Sequence, residues 1–199
     1  MPKLLYAGPS PYSAKVRLSA LYVGIALEKV TVDTNADPAV LTDANPLGKI
    51  PTLITDDGVA VYDSRVITQY LNRVSGNKLF PRNPAKRLEA ETLEALADGI
   101  CDSLLSMVYE RRFRPEEMVY QPWLDRQWSK VQRGLDALPA SPPKLPKQLT
   151  VGQIAVRALI AYLDLRFAGK WEKGRAKLRR WANKFDEKWP ELAAELVAA

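Results

Sequence analysis

The chain contains no histidine and a single cysteine, Cys101. Without histidine, neither a Ser-His-Asp nor a Cys-His nucleophile system can be assembled within it. One cysteine rules out an internal disulfide and a cysteine-rich metal site. The two shortages together remove most zinc chemistry, so no metal is expected. A lone cysteine within a helical pattern is expected to be buried or at an interface. No apolar run reaches the length needed to span a bilayer, and Met1-Pro2-Lys3-Leu4-Leu5-Tyr6 shows no charged region followed by a long apolar stretch. A cytoplasmic protein with no membrane partner is expected.

What is present points to a folded enzyme-sized chain. At 199 residues and 47% hydrophobic content, one or two compact domains with an ample core are expected. The net charge of +6 is concentrated in Lys170 to Lys188, where Lys173, Arg175, Lys177, Arg179, Arg180 and Lys184 alternate with Trp171, Leu178, Trp181 and Phe185. The apolar residues fall at helical spacing. This stretch reads as the solvated face of a packed helix, not as a nucleic-acid patch.

The first 76 residues carry strand and turn signals. Lys3 to Ala7 is a short apolar strand, Ser10 and Pro11 start a helix, and Val16, Ala20 and Val23 define its inward side with Lys15 and Arg17 off it. The helix stops near Gly24, and Leu27 to Asp33 alternates as a second strand. Thr34 to Ala44 is polar, expected as loop or weak helix. Thr52–Thr55 and Val59–Tyr62 flank Asp56-Asp57-Gly58, a hairpin signal. Asp63-Ser64 then caps a helix with Val66, Ile67, Tyr70, Leu71 and Val74 inward. Residues 77–86, with Pro81 and Pro84, read as a linker.

Beyond the linker, 87–199 reads as all-helical. Leu93, Leu96, Ile100, Leu104 and Met107 lie on one face of a long helix, and Leu124, Trp128, Val131, Leu135 and Leu138 on that of a second, which Pro122 starts or kinks. Ala140 to Pro146 is a rigid proline-rich loop. Further helices are predicted over about 151–167, 175–187 and 190–197.

Three polar signals fall at strand ends or first helical turns. Ser10-Pro11-Tyr12-Ser13 is either a plain cap or a hydroxyl at a helix N-terminus that favours an anion or thiolate. Ile50-Pro51, ahead of a strand, is either a stiff trans turn or a cis bond that leaves the Ile50 main chain free to pair with an extended peptide. Asp63-Ser64 is a cap, or a site where helix N–H groups and a hydroxyl meet a carboxylate while Asp63 meets an ammonium. The order of elements would bring all three to one sheet edge.

In that combination, Ser-Pro-Tyr-Ser-Ala-Lys-Val-Arg, Asn-Pro-Leu-Gly-Lys-Ile-Pro and Asp-Ser-Arg-Val-Ile-Thr-Gln-Tyr-Leu, followed by a helical half, resemble the glutathione transferase superfamily. The chain looks closest to bacterial serine-type members near the theta, zeta and beta groups. The resemblance implies an α/β thioredoxin-like N-terminal domain and an all-α C-terminal domain. It further implies glutathione as co-substrate, no metal, a small hydrophobic electrophile as partner in a detoxifying conjugation, and a homodimer. By motif, Ser10 stabilises the thiolate, with Tyr12 and Ser13 as rival donors. Pro51 is cis, and Ile50 pairs with the cysteinyl unit. Asp63 and Ser64 hold the γ-glutamyl end, and Lys49 approaches the glycyl carboxylate. Asp98 or Asp102 reaches the γ-glutamyl amine or a dimer partner. Tyr12, Met107, Tyr109, Arg111 and Arg112 are candidates for the second-substrate pocket.

The turn that is Cys-Pro-Tyr-Cys in glutaredoxins is Ser-Pro-Tyr-Ser here, which argues against mixed-disulfide chemistry. At the start of the central helix Gln153 replaces the family's aspartate, so a weaker cap is expected. A glutathione-dependent isomerase or dehalogenase, and a non-catalytic partner protein of the stringent starvation type, are the alternative functions.

Overall fold

The computed structural model describes residues 1–140, 145 and 147–197. Strands β1 (Lys3–Tyr6), β2 (Glu28–Thr31), β3 (Thr52–Ile54) and β4 (Ala60–Val61) form a sheet in the order β2-β1-β3-β4. β2 runs parallel to β1, while β3 and β4 are antiparallel to their neighbours, with Leu4 opposite Leu53 and Leu53 opposite Val61. A parallel pair needs a crossover, supplied by α1 (Pro11–Val23). The tight Asp56–Gly58 turn joins β3 to β4, and α3 (Ser64–Val74) follows. This is the thioredoxin-like arrangement. The polar stretch after β2 holds one helical turn at Thr34–Ala36 and the short α2 (Ala39–Thr42).

The second half consists of α4 (Pro84–Phe113), α5 (Gln121–Ala140), α6 (Val151–Phe167), α7 (Ala176–Lys188) and α8 (Pro190–Val197). Pro122 falls in the first turn of α5, where its missing N–H would be unpaired anyway, and so starts the helix. The rigid loop expected over 140–146 lies outside the described residues apart from 140 and Leu145. The capping box expected at α6 is closed by Gln153, whose Oε1 accepts from the Thr150 N–H at 2.8 Å. Gly152 lets α6 approach α4: a β-carbon there would stand 2.8 Å from the Ala90 carbonyl oxygen.

The core is continuous between the halves. Leu4, Val16, Leu53 and Ile67 belong to the same buried cluster as Leu104, Ile154 and Leu159. Packed against α3, α6 and α8, α1 is buried on nearly every side. Lys15 and Arg17, expected off its inward face, are therefore buried instead, and each finds carboxylates in the helical half. Lys15 Nζ donates to Glu94 at 2.9 Å and to Asp98 at 2.8 Å, and Arg17 Nη1 to Glu195 at 3.0 Å.

Helix α3 is rotated from its expected face. Val66 and Val74 are exposed, and the buried stripe is Ser64, Ile67, Thr68, Leu71 and Asn72. The polar members of that stripe have partners. Asn72 Oδ1 accepts from the N–H groups of Leu79 and Phe80 at 2.9 and 3.0 Å, and its Nδ2 donates to Asn77. The stretch read as a linker is accordingly pinned. Leu79 and Phe80 are buried, and α4 begins within that stretch at Pro84, capped by Asn83. Asn72→Ala should orphan two buried N–H groups, lowering stability by about 2–4 kcal/mol at roughly 1–2 kcal/mol each, measured as a shift of the urea midpoint.

The basic stretch is a packed helix. Arg175 is buried, donating to Asp136 at 2.6 Å and to the Trp171 carbonyl at 3.0 Å, and Arg179 pairs with Asp164 through both terminal nitrogens. Trp171, Leu178, Trp181 and Phe185 are buried beneath them. No helix among the described residues is long and apolar enough to cross a membrane.

Candidate active site

β1 ends at the sheet edge, and the chain turns through Gly8 and Pro9 to deliver Ser10 as the N-cap of α1. Its N–H donates to Ala7 O at 3.1 Å. Ser10 Oγ accepts from the Ser13 N–H at 3.2 Å, and its own proton has no acceptor among the described residues. The cap therefore orients the hydroxyl while leaving it a donor. Ser10 opens on a cleft of about 780 Å³ between the two halves.

The other two hydroxyls of this turn are differently placed. Tyr12 also lines the cleft, but its hydroxyl donates to Asp102 of α4. Burial, reinforced by that bond, holds the phenol far above its ordinary pKa, so its proton is committed to the carboxylate. Ser13 is fully buried with its Oγ unpartnered among the described residues, and it does not line the cleft. Of the three hydroxyls, Ser10 and Tyr12 line the cleft, and of these two Ser10 keeps a proton without an acceptor among the described residues.

Across the cleft stands the loop of the second signal. The Ile50-Pro51 peptide bond is cis, as is that between Tyr62 and Asp63. The loop is held by Asn45, buried, whose Nδ2 donates to the Lys49 carbonyl at 2.8 Å. Thr52 Oγ1 donates to the same oxygen at 2.9 Å. Gly48 takes φ 59° beside Asp37, a left-handed conformation that favours glycine. With these bonds satisfied elsewhere, neither the N–H nor the C=O of Ile50 is hydrogen-bonded among the described residues. Lys49 and Ile50 line the cleft with Ser10.

The third signal is set apart. Ser64 is buried, and Asp63 is exposed with its carboxylate accepting the Arg65 N–H at 3.0 Å. Both sit at the N-terminus of α3, outside the cleft lining. Asp98, expected at a ligand amine or a dimer partner, is instead buried and held within the chain by Lys15 and by Arg65 Nε at 2.9 Å. Asp102 does line the cleft.

Of the second-substrate candidates, Tyr109 and Arg112 line the cleft. Met107 does not, being packed against the core, and Arg111 turns away to donate to Gln121 at 3.2 Å. A helix presents alternate faces every three to four residues, so the cleft wall takes Leu105, Val108 and Phe113 with Tyr109 and Arg112. Sequence reasoning missed the contribution of α6, Tyr162 and Arg166, and that of the Asp33–Asp37 loop. A polar aromatic and an arginine one turn apart in a mostly apolar helix were the available signal. Cys101, beneath the site, is buried, and burial pushes its thiol well above the ordinary range.

The sequence profile of the glutathione S-transferase N-terminal domain matches residues 9–74. The GST-like protein YibF of Escherichia coli K12 is 33% identical over 82% of this chain and 83% of its own length. A glutathione transferase family member from Pseudomonas fluorescens Pf-5, solved with bound glutathione, superposes with a TM-score of 0.89 at 35% identity, covering 98% of each chain. The same bacterium's protein has also been solved with S-(propanoic acid)-glutathione, at TM-score 0.84 and 33% identity over 98% of each chain. A glutathione S-transferase from Methylobacterium radiotolerans in complex with glutathione sulfonate gives a TM-score of 0.89 at 31% identity, covering 98% of this chain and 94% of that one.

Proposed function

The chain belongs to the glutathione S-transferase superfamily, and from that premise we propose that it binds glutathione in the cleft and activates its thiol for transfer to an electrophilic small molecule. The observation that carries the reading is the shared cavity: a serine hydroxyl with an uncommitted proton and an Ile50 main chain with both groups unpaired face the same space. An extended peptide can add to such a main chain as a strand would. In this reading Ile50 pairs with the cysteinyl unit, which directs the sulfur towards Ser10. Lys49 meets the glycyl carboxylate, and the N-terminus of α3 with Ser64 and Asp63 receives the γ-glutamyl end.

The thiol releases its proton to solvent, and the thiolate that remains is favoured by two local effects. The Ser10 hydroxyl donates to the sulfur, and the N-terminus of the 13-residue α1 places positive partial charge behind it. The sulfur then attacks the electrophile, forming the C–S bond while the leaving group departs with the pair of the bond it breaks. Leu105, Val108 and Phe113 supply an apolar wall for that second substrate. Relatives with glutathione and S-substituted glutathione bound support the assignment.

Titration calorimetry with glutathione, paired with the absorbance assay for conjugation of 1-chloro-2,4-dinitrobenzene, tests it. Binding in the millimolar range or tighter is expected, together with turnover above the uncatalysed rate. Absence of binding at millimolar glutathione would leave the non-catalytic partner-protein reading ahead.

A further inference from the structure

The α6 wall of the cleft has polar groups that the thiol chemistry does not use. Tyr162 is only 6% exposed, yet its hydroxyl has no hydrogen bond among the described residues and keeps an opening to solvent. The small exposed part of the side chain opens on the main cleft and on a second cavity of about 430 Å³ that adjoins it behind Ser10. A buried hydroxyl facing space without a partner is what a ligand oxygen would complete.

Two cations flank it. Arg166 is one turn further along α6, and Arg112 reaches the cleft from α4. Both act on the Tyr162 phenol, drawing its pKa down while burial, the larger effect, raises it to about 12. Neither arginine forms an ion pair among the described residues. Arg112 rests instead on the rings of Tyr109 and Phe113, at 5.8 and 6.0 Å from their centroids. Of the cleft's carboxylates, Asp33 accepts from Asn35 and Asp102 from Tyr12, while Asp37 stands beside Gly48 in the facing loop. The α6 and α4 side therefore carries two guanidinium groups with no ion pair among the described residues, beside a phenol and against the single carboxylate of Asp102, and guanidinium groups bind carboxylates by paired hydrogen bonds.

We propose that Tyr162, Arg166 and Arg112 form a carboxylate-recognising subsite, so that the electrophile taken by this cleft is an acidic small molecule with its reactive carbon towards Ser10 and its carboxylate towards α6. This rests on the reading that the cleft holds glutathione. The apolar side chains Leu105, Val108 and Phe113 line the same cleft, which suits a short hydrocarbon or aromatic spacer.

Calorimetry with three ligands separates the two levels: glutathione, S-benzylglutathione and S-(4-carboxybenzyl)glutathione. The carboxybenzyl compound is expected to bind about tenfold more tightly than the benzyl one, the scale of one charge-assisted hydrogen bond. That ratio should shrink about fivefold or more in Arg166→Gln and in Tyr162→Phe, and should fall with added salt. Thermal melting of each variant confirms that it is folded, and the conservative Tyr162→Phe keeps the ring. Equal affinities for the benzyl and carboxybenzyl compounds in the unmodified protein, or a ratio unchanged in both folded variants, would overturn the subsite. Failure of glutathione itself to bind would strike instead at the glutathione reading.

Discussion

Ser10→Ala is expected to lower the turnover of glutathione conjugation roughly tenfold to a hundredfold, following loss of a charge-assisted hydrogen bond of about 1.5–3 kcal/mol, and to change glutathione affinity far less. The reason is positional. Ser10 Oγ is oriented as an acceptor by the Ser13 N–H, which leaves its proton to stabilise a neighbouring anion. A free thiol near pKa 8.5 needs a drop of about two units, or about 2.7 kcal/mol, to be mostly ionised at neutral pH. The hydroxyl with the helix-terminus contribution of about 0.3–1 kcal/mol suffices, and the mutant retains only the latter.

The thiol itself reports the outcome. Thiolate absorbance near 240 nm, followed against pH in the binary complex, should show the bound thiol's pKa rising by about one to two units in Ser10→Ala, at 1.36 kcal/mol per unit. Tyr12→Phe should leave that titration in place, because the Tyr12 proton belongs to Asp102. Loss of the N-cap also removes about 1 kcal/mol of stability, so the comparison belongs well below the melting transition. An unchanged pKa and turnover in Ser10→Ala would remove the hydroxyl from the mechanism.

The sequence made the order of elements legible because local signals were strong where the chain reverses. Ser10-Pro11, Asp56-Asp57-Gly58, Asp63-Ser64 and Thr150-Gln153 each mark a boundary by chemistry that acts within a few residues. What it concealed depends on partners distant in sequence. In α1, burial on nearly every side erases the periodicity from which a face is read, so Lys15 and Arg17 looked solvent-facing although their carboxylates lie 79 to 178 residues away. In α3, Asn72 and Thr68 are inward because backbone and carboxylate groups await them there, while Val66 and Val74 are left outside.

The same distinction runs through the candidate site. Ser10, Lys49 and Ile50 were readable from motifs in the first half, where backbone geometry sets the chemistry. The opposite wall depends on which faces of α4 and α6 meet. Neighbouring residues on α4 consequently divide, with Tyr109 and Arg112 in the cleft and Met107 and Arg111 outside it.

The buried cluster around Lys15 carries the largest expected stability effect. Lys15 is 1% exposed and stands between Glu94 and Asp98, both nearly as buried, while Arg65, half exposed, reaches only Asp98. Lys15→Met keeps most of the side-chain volume but leaves two carboxylates with one peripheral cation, and stranding buried charge costs about 3–5 kcal/mol. The loss should depend on pH in a definite direction. Burial already lifts the Glu94 carboxyl above its ordinary range, with Lys15 as the chief opposing influence, so removing the lysine raises it further. A carboxyl whose folded pKa lies above its unfolded value binds its proton more tightly when folded, so its contribution is present below the unfolded pKa and lost as pH rises through the folded one. The urea midpoint of Lys15→Met should therefore fall more steeply than that of the unmodified protein as pH rises above the unfolded glutamate value of about 4.3. Adding Glu94→Gln should flatten that slope and recover part of the stability at the upper end. Parallel pH profiles for the single mutant and the unmodified protein would mean that Glu94 is not the group left stranded.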